Sequence, residues 1–497
     1  MKLLFLRLSE PTGGGRKERE DVEEKKLLIG GRREEARRYE ELRSPYTGEV
    51  IAKVPAADKE ETGKAVGAAT EAKAAMAALP AHERAAVLER VAALLDGRSE
   101  EAARLVALEA AKPIKAARAE IGRTVQTYKF AAEEAKRIGG ETIPLDAAPG
   151  GEDRLAYTVR EPLGVIGAIT PFNFPFNLVA HKVGPAIAAG NTVVLKPAEQ
   201  TPLSALYIAE LFAEAGLPPG ALNVVPGPGE IAGAALVADE RVAMITFTGS
   251  PEVGKSIRAG AGLKRVTLEL GSNSALIVDK DVDLDAIVPR CATGAFSNQG
   301  QICISLQRIY VHEELYGSFV RKFAEAARKL KRGDPLDPQT DLSAMISARE
   351  TERALSWIRE AVDGGAKLAA GGGVSGGVLE PTVITEAGRE MKVSCREAFA
   401  PIVVIDSVKS MDEAIDAVND SDYGLQAGVY TSNLFTALRA AERLKVGGVM
   451  INDIPTFRVD HMPYGGVKES GIGREGVKYA VEEMTETKLV VINKRLG

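Results

Sequence analysis

Three short stretches of this chain carry side chains that together suit covalent chemistry on a carbonyl. Gly300-Gln301-Ile302-Cys303 presents a thiol, Glu269-Leu270-Gly271 a carboxylate, and Pro171-Phe172-Asn173-Phe174-Pro175 a side-chain amide. A thiolate can attack the carbon, a carboxylate can take a proton from the thiol or from water, and an amide N–H can donate to the oxyanion that develops. Each piece alone is a weak signal, because a free cysteine in an apolar run is ordinarily inert core. Together they point to a nucleophilic enzyme with Cys303, Glu269 and Asn173 as its working groups.

Elements that could hold such groups are visible around them. From Leu163 the chain alternates short apolar strands (164–169, 192–196, 221–225 and 243–247) with helical stretches (179–189, 203–215 and 230–238). Short buried strands separated by helices indicate a parallel sheet covered on both faces, an α/β fold with a Rossmann-type dinucleotide domain. A second alternation is expected from Arg265, with strands at 266–269, 274–278, 308–311, 402–405 and 447–451, and helices at 284–296, 314–331 and 348–363. In this reading that second α/β unit carries both Glu269 and Cys303. The Ala-, Glu- and Lys-rich stretch from Lys59 to Arg137 reads as several helices broken near Pro80. The expected division is a flexible extension over 1–26, a cofactor domain over 27–138 and 162–268, a catalytic domain over 269–466, and a small β arm over 139–161 and 485–497.

Two turns compete for a pyrophosphate. Gly227-Pro228-Gly229-Glu230-Ile231-Ala232 mimics a GxGxxA fingerprint after a strand, and Gly249-Ser250-Pro251-Glu252-Val253-Gly254 also leads from a strand into a helix. Either suits an anion, since the first N–H groups of a helix lack partners and its dipole favours negative charge. The regular fingerprint favours the first.

These blocks, with Lys196-Pro197-Ala198-Glu199-Gln200-Thr201-Pro202, Glu397-Ala398-Phe399-Ala400-Pro401 and Pro463-Tyr464-Gly465-Gly466-Val467-Lys468, fall in the order of the NAD(P)-dependent aldehyde dehydrogenase superfamily, which the chain resembles from about residue 27 to its end. It departs from the family pattern at Gly271-Ser272-Asn273 and Phe399-Ala400-Pro401, and it most resembles the lactaldehyde/glyceraldehyde-type branch. The resemblance implies oxidation of a small aldehyde to its acid through a thiohemiacetal and a thioester on Cys303, with Glu269 activating the hydrolytic water. It moves the pyrophosphate to the Gly249 turn, with Gly229 nearby. It assigns the cofactor to Ile169, Thr170, Pro171, Lys196, Glu199, Gly229, Phe247, Gly249, Ser250, Val253, Leu270, Glu397 and Phe399, and the substrate to Phe174, Ile302, Arg458 and Tyr464. It also implies a dimer or tetramer built through the arm, with Arg474 and Glu486 pairing across the contact.

Glu199 favours NAD, because a carboxylate accepts bonds from ribose hydroxyls and repels a 2′-phosphate, while the ammonium of Lys196 keeps NADP as the alternative. Arg458, at a position often aromatic in the family, favours an oxygen-rich or anionic tail such as that of lactaldehyde, glycolaldehyde, glyceraldehyde or its phosphate. Its competing reading is a surface arginine paired with Asp460. Succinic semialdehyde oxidation, transfer of the thioester to CoA, and a binding protein on the same scaffold are the rival functions.

Composition narrows the rest. The balance of 63 Lys and Arg against 69 Asp and Glu, a net charge of −6, argues against nucleic acid or an anionic membrane as partner. Three cysteines without a CxxC and four scattered histidines support neither a disulfide framework nor a metal centre. No apolar run is long enough to span a membrane, and a cytoplasmic setting is expected. Cys291 and Cys395 read as structural, Trp357 as packing, and His461 as a residue of the substrate loop.

Overall fold

The computed structural model describes residues 22–496. The expected N-terminal extension lies largely outside them. Its last residues do not hang free: Lys25 N–H donates to Lys53 O at 2.8 Å and Lys53 N–H to Glu23 O at 2.9 Å, so the chain is already laid along the strand Val50–Pro55.

The first sheet runs, in spatial order, Arg32–Glu34, Leu27–Ile29, Leu222–Val224, Thr192–Lys196, Val165–Ile169, Val242–Thr248, Arg265–Glu269 and Gly471–Ile472. Its five strands from Leu222–Val224 to Arg265–Glu269 are parallel. Every residue of Val165–Ile169 and Thr192–Lys196 is buried, as unbroken apolar runs are when helices cover both faces of a sheet. The helix Lys59–Ala78 starts at a capping box in which Asp58 and Glu61 satisfy each other's backbone N–H groups. Pro80 then separates it from Ala81–Gly97. The last of the Ala-rich helices, Ile114–Ala135, packs on Asn177–Ala188. Between them they set the floor of the site.

The second sheet runs Lys367–Ala370, Thr382–Thr385, Ile402–Val408, Arg308–His312, Ala275–Val278, Gln426–Tyr430 and Gly448–Ile451. It is parallel except at its first edge. One expectation is corrected here. Arg265–Glu269 belongs to the first sheet, parallel to Val242–Thr248 with Thr248 opposite Glu269. Glu269 therefore ends a first-sheet strand, whereas Cys303 lies before the second-sheet strand Arg308–His312. A third, antiparallel sheet of Thr485–Asn493, Arg154–Pro162 and Thr142–Ile143 stands apart from both.

Candidate active site

The loop that carries Cys303 is built on an unusual backbone. Asn298, Gln299 and Gly300 are all left-handed, with φ of 49°, 57° and 69°. Two non-glycine residues in that region cost conformational energy and persist only where their surroundings hold them. Side-chain amides do so. Gln299 Nε2 donates to Ala344 O at 2.8 Å and Ala111 O at 3.1 Å, and Gln301 Oε1 accepts from Ile346 N–H at 3.0 Å. Gly300 is required for space as well, since a Cβ there would stand 2.2 Å from Ala400 O. The loop is thus pinned to Ala111, Ala344 and Ile346 and packs closely against Ala400.

Asn173 sits under this loop and donates from Nδ2 to Gln301 O at 2.9 Å. One amide proton is occupied by that bond, which fixes the side chain and leaves the second proton for a ligand. Phe174 follows, its ring centroid 3.6 Å from Lys112 Nζ, and it packs with Cys303 against the cluster of Ile302, Ile304, Leu425 and Tyr464. The Cys303 sulfur lies 2.9 Å from the Tyr464 hydroxyl. Burial pushes the thiol up to about 11, with the Tyr464 hydrogen bond and Arg458 pulling the other way.

The opposite wall carries two carboxylates, Glu269 buried and Glu397 half-buried. Neither oxygen of Glu269 has a hydrogen-bond partner among the described residues. Burial, and after it the charge of Glu475, holds Glu269 well above the usual carboxylate range. Glu397 accepts from Ser272 N–H at 2.9 Å, yet burial raises it to about 8. It crosses directly over Gly271, where a Cβ would meet its Oε2 at 2.3 Å, so the family departure at 271–273 keeps the one glycine this crossing demands.

Beneath the thiol lies a floor of paired charges. Lys182 Nζ donates to Glu475 Oε1 at 2.9 Å and Arg458 Nη2 to Glu475 Oε2 at 3.0 Å. His181 Nε2 lies 2.9 Å from Asp460 Oδ1, which also takes Arg123 Nη2 at 2.6 Å. Burial opposes ionisation of Glu475, but Lys182, His181 and Arg458 outweigh it and hold this carboxyl well below its ordinary range. The surface reading of Arg458 is therefore overturned. Its side chain is 7% exposed and bonded to Glu475, while Asp460 belongs to Arg123 and His181. Arg458 still lines a cleft of about 410 Å³ together with Arg123, Phe130 and His461.

The expected cofactor residues fall mostly on two hollows. One of about 620 Å³ is lined by Pro171, Asn173, Gly249, Ser250, Glu269, Leu270, Cys303, Glu397 and Phe399 among others. A second of about 520 Å³ is an apolar slot between the helices Ala234–Ala238 and Pro251–Gly260, with Ile169, Gly229 and Val253 on its walls. Glu252 lines both. The two turns treated as competitors in the sequence therefore face each other across one slot. Glu199 stands at Gly229, accepting its N–H at 2.9 Å, with Lys196 Nζ 4.0 Å away. Thr170 is buried, and Phe247 is buried beneath Gly249, whose added Cβ would meet the Phe247 ring at 2.3 Å. Phe247 therefore supports the turn from below and is not among the residues lining either hollow. Trp357, read as packing, does line the larger hollow, with the Arg353 guanidinium 4.8 Å from its ring centroid. Sequence reasoning missed Lys182, Glu475, His181 and Arg123.

Of the residues expected at a subunit contact, Glu486 pairs within the chain with Arg265 at 2.6 Å, and Arg474 donates to Gly466 O and Gly473 O. No described helix is long and apolar enough to cross a membrane, and the described residues hold no group of three or more His, Cys, Asp or Glu able to bind a metal.

A 3-sulfolactaldehyde dehydrogenase of Priestia aryabhattai is 50% identical over 453 residues, 91% of this chain and 94% of the relative. A lactaldehyde dehydrogenase of Methanococcus aeolicus is 40% identical, covering 92% of this chain and 98% of that one. Among solved structures, aldehyde dehydrogenase 21 of Physcomitrella patens in complex with the reaction product succinate superposes with a TM-score of 0.93 at 43% identity, covering 95% of this chain and 99% of that one. Glyceraldehyde-3-phosphate dehydrogenase of Methanocaldococcus jannaschii with NADP gives 0.88 at 40% identity, over 92% and 100%. Residues 32–490 match the aldehyde dehydrogenase family, and to that family the chain belongs.

Proposed function

We propose that this NAD(P)-dependent enzyme oxidises a short hydroxyaldehyde with an oxygen-rich or anionic tail to its carboxylic acid, with Cys303 as nucleophile and Glu269 as the base for hydrolysis. The observation that carries the chemistry is the shared cavity. A thiol, a partnerless carboxylate and an amide with a spare proton line the same hollow from two different sheets. Cys303 attacks the aldehyde carbon, and the oxyanion takes the second Asn173 proton and the Cys303 backbone N–H. Glu269 then accepts a proton from water, which opens the thioester. A carboxylate raised by burial suits this task, since a base titrating nearer neutral pH is stronger than an exposed one.

NAD(P) fits the two hollows on the structure's own terms. The apolar slot suits a flat adenine, Glu199 stands at its rim for the ribose, and Glu397, which lines the larger hollow, suits the second ribose. Bound there, the cofactor supplies the hydride acceptor. The fixed carboxylate of Glu199 favours NAD over NADP. For the substrate, Arg458 and Arg123 border a cleft of about 410 Å³, Arg458 also covers the ring of Tyr464, whose hydroxyl meets the thiol, and relatives named for 3-sulfolactaldehyde and lactaldehyde support a short polar aldehyde. The assembly reading is a homo-oligomer through the third sheet, whose outer strand Thr485–Asn493 exposes Leu489, Val491 and Ile492.

An aldehyde panel read by NADH absorbance, with and without CoA, tests the reading. Short hydroxyaldehydes bearing an anion should give the highest kcat/KM, with no dependence on CoA. Preference for long apolar aldehydes, or turnover that needs CoA, would contradict it.

A further inference from the structure

Tyr464 stands at the nucleophile, and its hydroxyl has one hydrogen-bond partner among the described residues, the Cys303 sulfur at 2.9 Å. The ring cannot swing away. It is 2% exposed and packed against Ile302, Ile304 and Leu425. Its backbone is clamped in both directions to Glu475, with N–H to O distances of 3.0 and 2.6 Å. A phenolic proton in such a place needs an acceptor, and the sulfur is the one in reach. Over the ring face lies the Arg458 guanidinium, 3.6 Å from the centroid, itself fixed by Glu475. A cation on that face draws electron density from the ring and makes the hydroxyl a better donor.

We propose that Tyr464 is a further catalytic residue, whose hydroxyl donates a hydrogen bond to the Cys303 sulfur anion both before attack and when the thioester opens, strengthened by Arg458 above the ring. This rests on the reading of Cys303 as nucleophile. In the opening step water adds to the thioester carbon as its proton passes to Glu269. The carbon–sulfur bond then breaks with its electron pair on sulfur, and the carboxylic acid leaves. The Tyr464 proton stays on its own oxygen throughout. The groups bearing on the sulfur charge are Tyr464 and Arg458, which favour the anion, and Glu397 and Glu269, which oppose it.

The test is the pH profile of Cys303 alkylation by iodoacetamide, read by mass spectrometry, in the parent enzyme and in Tyr464→Phe, which keeps the ring packing. The profile should move up by about one pH unit. Thioester opening should slow about tenfold, so that kcat and KM fall together and acyl-enzyme accumulates on Cys303. Replacing Tyr464 by 3-fluorotyrosine, a stronger donor of nearly the same size, should move the profile down. Unmoved profiles and unchanged opening rates in both variants would overturn the proposal. Absence of any acyl group on Cys303 in the parent enzyme would overturn the nucleophile reading, and this proposal with it.

Discussion

Two buried glutamates that feel each other's charge behave in opposite ways. Glu475, in the floor, accepts from Lys182 and Arg458. Glu269, in the wall, has no partner on either oxygen among the described residues. Burial alone would raise both, since it disfavours the charged form of any carboxyl. The cations Lys182 and Arg458 reverse that effect at Glu475, whereas at Glu269 the ionised Glu475 adds to it. The floor is therefore a fixed set of charges, and the wall holds a group left free to take a proton. Pairing, and not depth, separates a structural carboxylate from one suited to general-base work.

Removing a floor charge should show this difference most strongly. Glu475→Gln leaves Lys182 and Arg458 without their anion, and a buried pair broken on one side costs about 3–5 kcal/mol. Denaturant unfolding should show a loss of that size, and a change under about 1 kcal/mol would mean that the floor reorganises. The same variant removes the repulsion that raises Glu269. Glu269 acts as a base only when ionised, so thioester opening increases with pH through its raised pKa. In Glu475→Gln that rise should begin at lower pH in single-turnover measurements.

Asn173→Ala removes the oxyanion donor on the nucleophile's side. It should lower kcat by about 10²–10³-fold with little change in NAD affinity. An effect on KM alone would make Asn173 a substrate-binding group only. At the cofactor rim, far from either glutamate, the expected effect is smallest. Glu199→Gln should shift the ratio of NADP to NAD affinity about tenfold toward NADP, close to 1.4 kcal/mol, measured by equilibrium titration. An unchanged ratio would place the discrimination elsewhere.

The contrast also explains what the sequence made legible. The strand Thr192–Lys196 and the helices Leu284–Phe296 and Ala348–Asp363 follow from local periodicity, and their bounds in the fold match the pattern in the chain. Cys303, Glu269 and Asn173 stand out because each lies in a short, compositionally distinct block. The floor was not legible. Lys182 and Glu475 are 293 positions apart, and although the apolar run around Lys182 marks a buried helix, nothing local names its partner. The competing reading of Arg458, paired with Asp460, weights near neighbours, yet the fold pairs Arg458 with Glu475 and gives Asp460 to Arg123 and His181. The strand Arg265–Glu269 was grouped with the second unit because an apolar strand does not state which sheet it joins. Its register against Val242–Thr248 is a tertiary fact.

The central claim is that the carboxylate without partners opens a thioester held on Cys303. A quenched turnover of Glu269→Gln, analysed by mass spectrometry, tests it most directly. The account predicts an acyl group on the peptide containing Cys303, formed at close to the parent rate and released at least 10²-fold more slowly. An unmodified Cys303 peptide, or release of the acid at the parent rate, would contradict it.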